Sequence, residues 1–196
     1  MPTTRRNRNG KKRDSQPLLH QDGVIVQEFG DLRDLPLALD ADARREMADG
    51  LNPILADTVI LWALYKKTHW LMRGATFYQL HLLMDKHAGE QLELIDEIAE
   101  RVQTLGAIAV GDPRHSAELT TLPRPPDGAE EVPAMLSRIL EAHETVIAKA
   151  RELASRADEL DDHATNDLLA STVLPVNELQ VWFVAEHLVE TPLVRA

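Results

Sequence analysis

Between Asp40 and Leu105 apolar residues recur every three or four positions, and the pattern is broken only near Gly74. That period belongs to α-helices packed side by side, and it leaves no room for a sheet in this part of the chain. Leu51, Ile54, Leu55, Val59, Trp62, Ala63 and Tyr65 mark a first helix over about residues 40–71. Pro53 lies inside it, so the helix either starts near that residue or bends there. Gly74 ends the helix and Thr76 is placed to cap the next, which makes a tight antiparallel hairpin. The second helix is expected over about residues 76–105, stopped by Gly106.

A linker rich in Gly and Pro follows, residues 106–128, with "PRHSAEL" set to form a short helix. A third helix is expected over about 130–157 and a fourth over about 165–190, the last kinked or broken around residues 171–175 by Pro175. Residues 1–16 are polar and aperiodic and read as a disordered basic arm. Residues 17–39 read as an irregular lead-in, 40–190 as the folded unit and 191–196 as a tail. Hydrophobic residues at 44% suffice for a core, and aromatics at only 4% favour helix-on-helix packing. The expected fold is all-α, a four-helix bundle with a long middle crossover that carries a short helix, the ferritin-like topology.

Composition narrows the chemistry. The absence of cysteine excludes disulfides and thiolate metal sites. No uninterrupted apolar run approaches the roughly 18 residues that span a bilayer, and the basic N-terminus lacks a following apolar segment, so neither a membrane nor secretion is expected. A cytoplasmic location follows. The net charge of −11 is unevenly spread: Arg5, Arg6, Arg8, Lys11, Lys12 and Arg13 against Asp14 give residues 1–14 a net +5, and the remaining 182 carry −16. The acidic body attracts cations and repels nucleic acid, whereas the arm does the reverse.

On the second helix His81, Asp85, Asp96 and Glu100 fall at roughly 0°, 40°, 60° and 100° around the axis, one shared stripe. A single i,i+4 pair is usually a solvated face. Here Leu80, Leu83, Leu92, Leu94, Ile95 and Ile98 leave little of the helix to face water. Imidazole and carboxylate without thiolate suit iron, manganese or zinc. None of the eight histidines has Glu three residues before it, so the intrasubunit Glu-x-x-His di-iron site is not expected. His81–Asp85 and Asp96–Glu100 lie about 22 Å apart along the axis. Two antiparallel copies of this helix across a two-fold axis would bring the first pair of one chain to the second pair of the other, with His69 beside His81.

"YKKTHWLMRGATFYQLHLLMDKH" and "LIDEIAERVQTLG" closely resemble the signature of the Dps family, the mini-ferritins named as DNA-binding proteins from starved cells. "TNDLL" and "VWFVAEHLVE" resemble its last helix, so the resemblance covers about residues 40–190. It implies ferroxidase ligands His69, His81 and Asp85 from one subunit and Asp96 and Glu100 from its partner, and every position holds the expected residue type. It further implies hollow twelve-subunit shells that oxidise iron(II), typically with hydrogen peroxide, store the iron(III) mineral and limit hydroxyl-radical damage to DNA. By charge, Glu100 suits a bridging role between two metals, with Asp85 and Asp96 supplying further oxygen ligands. Zinc is an alternative occupant. Trp70 either matches the family's aromatic residue near the site or fills the core. The family's pore-lining acids fall near Asp158, Asp161, Asp162 and Asp167, although acids at a helix N-terminus are also ordinary. His20, His87, His115, His143, His163 and His187 lack site spacing and read as surface or packing residues. The second functional reading is a nucleoid protein that compacts DNA through Arg5, Arg6, Arg8, Lys11, Lys12 and Arg13.

Overall fold

The computed structural model describes residues 23–190. The basic arm, His20 and residues 191–196 lie outside that range. Four long helical runs pack as a bundle: α1 (Ala41–Leu71), α2 (Phe77–Thr104), α4 (Val132–Glu159) and a composite last helix. A short α3 (Pro113–Leu119) sits in the crossover between α2 and α4, capped by the Asp112 carboxylate on the Arg114 N–H. α1 begins under an Asp40 cap and runs unbroken through Pro53, although proline withholds the N–H due to the Asp49 carbonyl. Packing on one face outweighs that lost bond, since Met47, Leu51, Ile54, Leu55, Leu61 and Tyr65 are all buried. Thr76 stands at the start of α2 but makes no side-chain cap, because the turn closes on its own backbone, Phe77 N–H to the Gly74 carbonyl at 3.1 Å.

The last helix is not uniform. It opens as α5 (His163–Asp167), widens into a π-helical turn over Leu168–Val173, continues as α6 (Leu174–Ala185) and tightens over Glu186–Leu188. Pro175 has no N–H for the carbonyl of Ser171. The ladder just before it shifts register, with Leu174 N–H donating to the Leu169 carbonyl five residues back. The expected local irregularity is therefore present, a few residues upstream of the proline.

Residues 23–39 wrap the end of the bundle where α2 stops. Gly106 takes φ +94°, and a Cβ there would lie 2.5 Å from the Arg33 carbonyl oxygen. Glycine lets the lead-in approach, so Arg33 N–H donates to the Gly106 carbonyl and Arg44 Nη1 donates to the carbonyls of Arg33 and Leu105. The crossover is fastened by one buried carboxylate. Asp57 of α1 accepts from Thr120 Oγ1, Thr121 N–H and Lys149 Nζ, tying α1, the crossover and α4 together.

The core has two apolar halves. One gathers Met47, Leu51, Leu94, Ile98, Ala150 and Val173, and the other Leu61, Met84, Ala88, Leu136, Val146 and Val184. Between them a buried polar layer of Gln91, Asn177 and Gln180 meets Tyr65 and His143. α1 and the run His163–Leu188 are long and apolar enough on average to cross a membrane, but α1 directs much of that surface inward and buries Arg44, Asn52 and Asp57 with it.

Candidate metal centre

The α1–α2 hairpin turns at Gly74 (φ +87°), which sets the last turn of α1 against the first turns of α2. His69 and His81 thereby stack, ring centroids 3.7 Å apart and planes within 20°. Each ring bonds the other's backbone: His69 Nδ1 to the His81 carbonyl at 2.7 Å, and His81 Nδ1 to the His69 carbonyl at 3.0 Å. A carbonyl only accepts, so both Nδ1 atoms carry the proton. In the neutral rings both Nε2 lone pairs are left for a metal. Phe77 lies tilted beside His81 at 5.1 Å and completes the packing.

Asp85 lies one turn beyond His81 and accepts from Lys66 Nζ at 2.5 Å. The hydrogen bond and charge of that ammonium hold the Asp85 carboxyl below its usual range, with His69 and His81 adding to the effect. Lys66 also sits 6.0 Å from the Trp70 ring. Trp70 is 70% exposed within the chain, so it does not fill this subunit's core. Lys66 escaped the sequence reading, although it stands three residues before His69 and so on the same face of α1.

Asp96 and Glu100 project from the exposed side of α2 and make no side-chain hydrogen bond or ion pair among the described residues. α2 is continuous between the two pairs, which keeps them about 22 Å apart along its axis. Among the described residues no three His, Asp or Glu side chains of one chain converge on a point. Tyr78, Leu82 and Leu92 are exposed and occupy the same sector of α2 as His81, Asp85, Asp96 and Glu100. His81, Asp85, Asp96 and Glu100 thus share one partly apolar face of α2, where Asp85 pairs with Lys66 of α1, and His69 and His81 are in contact.

The acidic segment before the last helix is differently used. Asp162 is buried, caps the N–H of Thr165 and pairs with Arg101 at 2.5 Å, so it lines no pore. Burial opposes its ionisation, but the Thr165 and Arg101 bonds outweigh that and lower its pKa. Asp167 accepts from Ser171, while Asp158 and Asp161 face solvent. Of the other histidines, His87 and His143 are buried packing residues and His115 meets Phe29 edge-on.

A ferritin-like domain model matches residues 48–194. DpsC from Streptomyces coelicolor is a solved structure with TM-score 0.86 and 66% identity, covering 88% of this chain and all of that one. A dps-homologue from the archaeon Halobacterium salinarum superposes with TM-score 0.83 at 28% identity, covering 87% of this chain and 95% of its own. A nutrient stress-induced DNA-binding protein from Nostoc is 31% identical over 155 residues, 79% of this chain and 84% of the relative. The fold and the match to the ferritin-like model define the class. Within it, the chain belongs to the Dps family of mini-ferritins.

Proposed function

We propose that two copies of this chain form two equivalent ferroxidase sites, each built from His69, His81 and Asp85 of one copy and Asp96 and Glu100 of the other. The observation that carries this reading is the hairpin lock, which leaves two imidazole Nε2 atoms free one turn before Asp85, beside a partly apolar face of α2. The Asp96–Glu100 pair lies on that face too far along α2 to be reached within the chain. The donor set of imidazole nitrogens and hard carboxylate oxygens accepts iron(II) and favours iron(III) as it forms. Two iron(II) ions each give one electron to hydrogen peroxide, the O–O bond breaks, and two protons complete two waters. The iron(III) is retained as mineral inside a shell of twelve subunits, in the cytoplasm, which spares DNA the hydroxyl radicals of one-electron peroxide chemistry. The basic residues of the arm favour a second, compatible activity, in which the shell holds DNA at the nucleoid.

Mixing half-sites tests the shared architecture. One variant carries His69→Ala, His81→Ala and Asp85→Ala, and a second carries Asp96→Ala and Glu100→Ala. Each alone damages every site and oxidises iron slowly. In a mixed dimer one site receives both damaged halves and the other both intact ones, so random co-assembly restores about a quarter of the wild-type sites. Activity of purified mixed shells no higher than that of either parent would overturn the shared site.

A further inference from the structure

Tyr65 and His143 form a buried, directed pair in the middle of the bundle. Both are fully buried, and Tyr65 Oη lies 2.5 Å from His143 Nε2. The direction of this bond is fixed by its neighbours. Asn177 donates its Nδ2 to the Val173 carbonyl at 2.7 Å, which turns its Oδ1 toward His143. His143 Nδ1 therefore donates to Asn177 Oδ1 at 2.8 Å, Nε2 carries the lone pair, and the phenol of Tyr65 donates to it. Burial, reinforced by the charge of Glu90, holds the Tyr65 phenol well above its usual range, and burial lowers His143 to about 4, so the resting pair is neutral phenol to neutral imidazole. His87 packs edge-on to Tyr65 and is likewise neutral, lowered to about 4 by burial. A phenol that cannot ionise by itself, yet touches a base, loses an electron only if its proton moves to that base in the same event.

We propose that Tyr65 is a redox-active tyrosine, oxidised by one electron as its proton passes to His143 Nε2. The oxidant is a hydroxyl radical, produced when a lone iron(II) ion in a half-filled site gives peroxide a single electron with no second iron(II) to give the other. The radical takes the electron from Tyr65 and becomes hydroxide, the phenolic O–H bond breaks, and His143 becomes imidazolium. Electron return from a further iron(II) ion restores the phenol, with His143 handing back the proton. Tyr65 precedes His69 by one turn of α1, about 6 Å along the axis, so it stands near the place where such radicals arise. Its burial keeps the oxidised ring from coupling to another tyrosine. The proposal rests on the ferroxidase reading only for the source of the oxidant.

The full-length protein, free of iron, is exposed to a flash-generated ruthenium(III) polypyridyl oxidant and frozen for electron paramagnetic resonance, with ring-deuterated tyrosine to identify the signal. Only Tyr65 and Tyr78 can contribute, since the chain holds two tyrosines. Tyr78→Phe is expected to retain a tyrosyl radical, and Tyr65→Phe to lose the one bonded to His143 and keep only the signal of Tyr78. His143→Gln in the Tyr78→Phe background keeps a hydrogen-bond acceptor but removes the base. The radical yield should then fall roughly tenfold or more, as each pKa unit of lost basicity is about a factor of ten. Absence of a tyrosyl radical in Tyr78→Phe, or an undiminished one in the His143→Gln background, would overturn the proposal. Because no iron is present, neither result depends on whether the ferroxidase reading holds.

Discussion

Lys66 is already bonded to one of the proposed ligands. Its ammonium occupies the Asp85 carboxylate at 2.5 Å in a pair that is 26% exposed on the lysine side and 53% on the aspartate side. In the proposed site iron(II) competes with this internal cation for the Asp85 carboxylate. Replacing Lys66 by Met keeps the apolar stem and removes the competitor. Because an exposed pair is weak, Lys66→Met should tighten anaerobic iron(II) binding by only roughly two- to fivefold. Titration calorimetry measures it, and an unchanged affinity would mean that the ammonium leaves Asp85 at no cost. At this scale the residue types of the proposed centre were read from the sequence, and the structure adds the contact between His69 and His81. The tautomers of His69 and His81 were not legible there, because they depend on carbonyls twelve residues away across the hairpin.

Among the elements, the crossover depends most on a single side chain. Thr120 and Thr121 end a segment with little core of its own, and Asp57 holds both while neutralising Lys149. Asp57→Ala leaves the Thr121 N–H and the partly buried Lys149 without their partner. Breaking one side of a buried pair costs about 3 kcal/mol. A lower denaturation midpoint at fixed protein concentration should follow, with faster amide exchange at Thr121. Exchange at Thr121 equal to wild type would show that the crossover is held by other contacts. Asp57 falls on the apolar face of α1, a poor place for an unpaired acid, but the sequence does not say which of many polar groups meets it. Pro175 is the contrary case, since a missing N–H at a fixed register disturbs the helix whatever surrounds it.

For the whole molecule, the arm and the body carry opposite charge. The net +5 of residues 1–14 is weak on one chain, and the −16 of the remainder opposes it. In the proposed shell several arms would engage one duplex together, and affinity should fall steeply as salt rises. Full-length protein should run at about 260 kDa, twelve chains of 21.9 kDa, and a variant lacking residues 1–14 as twelve correspondingly lighter chains. Only the full-length shell should retard DNA in a gel at low salt, and both should oxidise iron(II) alike. Equal retardation by the truncated shell would move the DNA contact to another surface.

The sequence by itself determined the helices, the hairpin at Gly74, the stop at Gly106 and the stripe of histidine and carboxylate on α2. Each of these follows from local periodicity, φ preference or spacing along one rod, which a single chain carries without reference to its neighbours. Tertiary structure decided that Asp162 is a buried partner of Arg101 and no lining for a pore, that Trp70 lies outside the core, and that Lys66 sits on Asp85. It also decided that Tyr65 meets His143 across the bundle. Those outcomes depend on which residues of different helices come within hydrogen-bond reach, and a period of 3.6 residues fixes the direction of a side chain but not what stands opposite it.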